Sequence, residues 1–181
     1  MAFARGFGNV RVLRSTLSAW GELRLQQGRL DEADDAFSEI LRFRAIRDEM
    51  KHQVRALYGL GRVRVRQRRG WVAAKMLTLA ASIAAEIGAT QLEAGALASL
   101  AGASVQFGET DKALTFADRA VGLARHVGSP HVMAEALIAK AGVLAAAGRE
   151  AQGRACLKEA DEILTALGVS VSLPSWAGAG L

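Results

Sequence analysis

The stretch Leu17-Ser18-Ala19-Trp20-Gly21, followed by Gly28 and by Ala33-Asp34-Asp35-Ala36-Phe37, recurs forty residues later. There it reads Leu57-Tyr58-Gly59-Leu60-Gly61, with Ala73-Ala74-Lys75-Met76-Leu77 behind it. A fixed period of this length marks a chain built of stacked, similar units. The other columns keep the same register. Leu17, Leu57, Leu97 and Leu137 form one, and Gly21, Gly61, Ala101 and Ala141 a second. Gly28, Arg68, Gly108 and Gly148 form a third, Ala33, Ala73, Ala113 and Gly153 a fourth, and Gly88, Gly128 and Gly168 a fifth.

Each column has a mechanical meaning in a helix-turn-helix unit. Gly28, Gly108 and Gly148 fall where one helix ends and the next begins, where a backbone of positive φ is cheapest in glycine. Arg68 occupies that place in the second unit, with Gly70 two residues on, so its turn is predicted to be shifted. Ser129-Pro130 reads as an N-cap followed by the first helical residue. The Ala33 column marks close helix crossings, where a larger side chain would force the helices apart. Apolar residues at helical spacing, such as Leu30, Ala33, Phe37, Ile40 and Leu41, fill in the helices. The spacing predicts helix pairs at about residues 10–27 with 30–46, 50–67 with 70–87, 90–107 with 110–127, and 130–147 with 150–167.

The motif Leu17-x-x-Trp20-Gly21, Gly28, Ala33-x-x-x-Phe37 resembles the tetratricopeptide-repeat signature, in units about six residues longer than usual. The longer units, with Gly128 ending a second helix before Glu135-Ala136, resemble the C-terminal repeat domains of bacterial transcription activators of the antibiotic-regulatory and maltose-regulator types. The resemblance implies an all-α, right-handed α-solenoid of four helix pairs over residues 1–168, with 169–181 as a capping tail or linker. Leu173 and Trp176 are then expected to fold back over the fourth pair. The resemblance also implies protein or peptide binding, in a regulatory domain or adaptor tied to transcription.

Composition agrees with helix. Alanine makes up about a fifth of the 181 residues and there are two prolines. The uncharged stretch Ala94 to Gly108 is too short and too glycine-rich to span a bilayer. Met1 to Trp20 is unlike a secretory signal, and one cysteine, Cys156, forms no internal disulfide, so a cytoplasmic location is expected. Cys156 reads as a buried structural thiol. His52, His126 and His131 are scattered, which gives no metal cluster. Gly59-Leu60-Gly61 follows no strand and precedes no Gly-Lys-Ser, so it is no phosphate loop. Asp31-Glu32, Asp34-Asp35 and the run from Glu159 to Glu162 read as solvated helix faces. With no nucleophile, base and orienting group to assemble, no enzyme and no cofactor are expected. Trp20 reads as core, and Trp71 as buried against the next helix.

The charge is uneven. Residues 41–70 carry ten Lys or Arg against Asp48 and Glu49, a local excess of eight within a net charge of +5, which leaves the remainder at −3. In repeats of this type the first helix of each unit lines a concave groove. Its groove-facing positions here are Ser15, Ser18, Glu22 and Gln26, then Arg55, Tyr58, Arg62 and Arg66, then Gly95, Ala98, Gly102 and Gln106, then Glu135, Ile138, Gly142 and Ala146. Arg55, Arg62, Arg66 and Arg69 share one helical face by spacing, with Tyr58 between them, while Arg64 and Arg68 point elsewhere. Glu22 and Gln26 are too few to neutralise them, which predicts a partner with acidic groups or a carboxylate terminus. A clamp for chaperone tails is not expected, because its Lys and Asn positions hold Ser18, Glu22, Ala98 and Gly102. The alternative is nucleic-acid binding through the basic patch at residues 42–69, the weaker reading for a chain with one tyrosine. No membrane partner is expected. The small-residue faces of helices 90–107 and 130–147 predict self-association as a homodimer.

Overall fold

The computed structural model describes residues 10–43 and 50–169. Among them are eight helices and no strand: α1 (Val10–Gln26), α2 (Leu30–Arg42), α3 (Met50–Arg66), α4 (Gly70–Glu86), α5 (Thr90–Val105), α6 (Thr110–Val127), α7 (Pro130–Ala146) and α8 (Glu150–Ala166). Each helix packs against its successor, which makes four antiparallel pairs. The first helices of the pairs also pack on one another, α1 on α3, α3 on α5 and α5 on α7. The second helices make no comparable contact among themselves, so the array is tighter along its inner row and has a concave side there. This is the all-α solenoid expected from the forty-residue period. The capping roles of Leu173 and Trp176 lie outside the described residues.

The turns explain the glycine columns. Gly28, Gly108 and Gly148 have φ of +74°, +75° and +71°. Behind each, the next amide donates to the carbonyl five residues back (Arg29 to Arg24, Glu109 to Ser104, Arg149 to Leu144), the closure that ends a helix through a left-handed residue. The second unit is not shifted as expected. Arg68 itself takes the left-handed conformation, φ +59°, and Arg69 closes onto Arg64 in the same way. A side chain in that region costs about 1 kcal/mol more than glycine, so Arg68→Gly is expected to stabilise the protein by about that amount, read as a higher Tm. No change in the melt would mean that the exposed Arg68 side chain makes compensating interactions.

Gly70 has another duty. It is the buried first residue of α4, where a Cβ would stand 2.6 Å from the Phe107 ring and 2.9 Å from Gln106 Oε1. Since Gly70 fills the inward slot, Trp71 points outward and is 65% exposed, contrary to the expectation of burial. Lys75 Nζ, one turn on, lies 3.6 Å from the centre of its ring. Trp20 is half-buried rather than core. No described helix lies beyond α1 to cover it, and the Arg24 guanidinium stacks on it at 3.7 Å.

Small residues in the inner row match large ones in the outer. The Phe37 ring on α2 is wedged between Gly21 of α1 and Gly59 of α3, where added Cβ atoms would come within 2.8 Å and 2.5 Å of it. One unit on, Leu77 presses on Gly61 in the same way, at 2.5 Å. Where the outer residue shrinks to Ala117, the inner one grows to Ala101, and both are fully buried. Ten residues of α5 are buried between α3, α4, α6 and α7, Gly95 and Ala98 among them. Much of the small-residue surface of α5 is therefore used inside the chain.

Candidate functional site

On the concave side the four inner helices enclose a hollow of about 300 Å³. Its lining is Leu25 of α1, Tyr58, Arg62, Val65 and Arg66 of α3, Ala98, Ser99 and Gly102 of α5, and Glu135, Ile138 and Ala139 of α7. A second hollow of about 280 Å³, lined by Ser15, Ser18, Ala19, Glu22, Phe37, Arg55, Tyr58 and Leu92, adjoins it across Tyr58. Together they form a groove that runs along α3.

Tyr58 can lie across the groove floor because Gly95 opposes it. A Cβ on Gly95 would sit 3.0 Å from the Tyr58 hydroxyl, which also shares a hydrogen bond with Ser99. Burial, aided by the Glu135 and Glu22 carboxylates and opposed by Arg62 and the Ser99 bond, pushes the phenol up to about 12. Tyr58 is the protein's single tyrosine, so absorbance at the phenolate band reads it alone. A raised folded value means that the folded state holds its proton more tightly. The associated stability is complete below the ordinary value of 10.0 and is lost as pH rises toward about 12. The expected midpoint is well above 10.0, and a midpoint at 10.0 with helicity intact would contradict the packed hydroxyl.

The expected row of unpaired arginines is only partly there. Arg62 Nη1 donates to both oxygens of Glu22, 2.7 Å each, and its guanidinium lies 5.3 Å from the centre of the Tyr58 ring. Burial disfavours the Arg62 charge, but Tyr58, Glu22 and Glu135 outweigh it, and the group is held more firmly protonated than usual. Positions 22 and 62 are the same place in successive units, which is why one carboxylate suffices for that arginine. Arg69 does not share the face: α3 ends at Arg66, and Arg69 is the exposed N-cap of α4. Arg64 does point elsewhere, ion-paired at 2.7 Å with Asp34, so that carboxylate is an inter-helix partner and not a fully solvated one. Arg55 and Arg66 remain exposed, and neither forms an ion pair among the described residues; Gln26 is exposed at the end of α1.

Of the other expected groove positions, Ala98, Gly102, Glu135 and Ile138 line the hollow. Leu25, Val65, Ser99 and Ala139 lie one residue off the expected stripe, and Leu92 lies on it one turn before Gly95, so none of them is among the expected positions. A cavity of about 660 Å³ lies outside the groove, between Trp71, Lys75, Leu79, Phe107 and Glu109. Cys156 is half-buried, and burial raises its thiol, which favours the protonated form. Among the described residues no group of His, Cys, Asp or Glu could hold a metal ion, and no helix is long and apolar enough to cross a membrane.

No family model matches the chain, and no curated protein matches it. Solved structures do. A Rap protein, in a crystal structure complexed with Competence and Sporulation Factor, superposes over 87% of this chain with a TM-score of 0.76 at 17% identity. The fold of the chain is that of a tetratricopeptide-like helical repeat. The chain spans 44% of the Rap protein's length. BtubC (BKLC) from P. vanneervenii matches over 92% of this chain and 85% of its own, with a TM-score of 0.52 and 17% identity. At such identity the likeness extends to the fold and no further.

Proposed function

We propose that this protein is a binding module without catalytic chemistry, whose concave groove takes an extended protein segment or peptide. The observation that carries the reading is the adjoining pair of hollows built by all four inner helices. They have an apolar floor and two exposed arginines, Arg55 and Arg66, that no carboxylate of the described residues engages. A groove of this kind recognises its ligand through charge-assisted bonds at a few anchors. The partner therefore presents at least one acidic group. The Rap protein complexed with Competence and Sporulation Factor supports such use of a similar array. The resemblance to repeat domains of bacterial transcription activators makes a regulatory or adaptor role the setting we favour, in the cytoplasm.

Nucleic-acid binding is supported less, because Arg62 and Arg64 are engaged by Glu22 and Asp34 and the single tyrosine is packed against α5. The test is retention of a partner identified by pull-down and mass spectrometry, with the paired change Arg55→Glu and Arg66→Glu. Both side chains are exposed, so helicity should be unchanged while the partner is lost. Unaltered retention would move the binding surface elsewhere.

A further inference from the structure

The groove is not uniformly basic. Glu135 on α7 faces the same hollow as Arg66, and its side chain is 42% exposed. Its contact is His131 Nε2 at 3.6 Å, too long for a good hydrogen bond and a charge pair only when the imidazole is protonated. Arg62 stands between the two anchors, but Glu22 engages it. Among the described residues the hollow thus offers one acceptor without a strong partner and one donor without a partner, across a floor of Val65, Ala98, Gly102 and Ile138.

Position along the groove follows from the helix. Glu135 shares that hollow with Tyr58 and Arg62, which places it across from that part of α3. Arg66 lies one to two turns further on, about 6–12 Å at a rise of about 1.5 Å per residue. An extended chain advances about 3.3 Å per residue, so two to four residues bridge the anchors.

Resting on the groove as the binding surface, we infer that the ligand is a dipolar segment. A Lys or Arg side chain meets Glu135, and a carboxylate two to four residues away meets Arg66, with small apolar residues between them on the floor. A purely acidic segment would set one carboxylate against Glu135, where the arginine in the same hollow, Arg62, is already engaged by Glu22. A purely basic one would meet Arg66 in the same way.

The experiment uses the full chain and fluorescein-labelled octapeptide pools, randomised among Ala, Val, Leu, Gly and Ser apart from two fixed positions three residues apart. The pools carry Lys and Glu, Glu and Glu, Lys and Lys, or no charge. The expected result is that the dipolar pool binds at least about tenfold more tightly than the others. Glu135→Lys should transfer the preference to the doubly acidic pool, and Arg66→Glu to the doubly basic one. Glu135→Gln, a near-isosteric change, should erase the preference with the fold unaltered. Equal binding of all pools, or a preference for the doubly acidic pool that Glu135→Lys leaves unchanged, would overturn the dipolar reading while leaving the groove as a binding surface. Binding of no pool would overturn both.

Discussion

Phe37→Ala is expected to lower stability by about 3–5 kcal/mol, the largest effect of any single truncation in the first two units. The ring is 1% exposed and wedged between two inner helices, so its loss opens a cavity shared by the first and second pairs. Neither Gly21 nor Gly59 carries a side chain that could move into the space. Phe37→Leu should cost less than about 1.5 kcal/mol, since the second unit already pairs a leucine, Leu77, with a glycine, Gly61. Conversely, Gly59→Ala alone should destabilise by about 1–3 kcal/mol through overpacking, and Phe37→Leu in the same chain should restore part of that. Urea unfolding followed by helicity measures all three. A loss below about 1 kcal/mol for Phe37→Ala would mean that the ring is not the wedge between the units.

Arg62→Glu is expected to damage the fold as well as the groove, at a cost of about 2 kcal/mol. It would place a third carboxylate beside Glu22 and Glu135, around a tyrosine whose hydroxyl is already packed away from water. Lower pH should return part of the loss by protonating the crowded carboxylates. The exchange of Glu22→Arg with Arg62→Glu re-forms the pair with its ends reversed and should recover most of it. A double-mutant cycle in thermal melts gives the coupling directly. Additive losses would contradict the pairing.

Those two sites show what was readable in the chain. Turn positions and helix limits follow from residues that act locally, glycines in left-handed turns and Ser129-Pro130 at a helix start, so the forty-residue register placed all eight helices. Periodicity assigns a residue to a face but does not say what covers that face. The spacing assigns Trp20 to the core, yet no described helix lies beyond α1 to cover it, and it assigns Trp71 to a buried face, whereas Gly70 takes that inward slot and leaves Trp71 exposed. The basic groove was overcounted for a similar reason. Charges were summed along the chain, whereas the register sets Glu22 directly beside Arg62 in the neighbouring inner helix. Arg69 was carried one residue group too far because α3 ends at Arg66. Glu135 stood among the groove-facing positions, but its meaning as an anchor needed the hollow that brings α7 to α3.

The groove itself is tested most directly by filling it. Gly102 of α5 lines the larger hollow, and a Cβ added there meets nothing within 4 Å. Gly122 of α6 is equally open but lies on the outer row. Tryptophan at either position should leave the helical fold intact, and circular dichroism checks that first. Fluorescence polarisation of the Lys and Glu octapeptide pool then compares the two variants. Gly102→Trp is expected to weaken binding at least about tenfold and Gly122→Trp to leave it unchanged. Wild-type affinity in folded Gly102→Trp would contradict the assignment of the concave groove as the binding site.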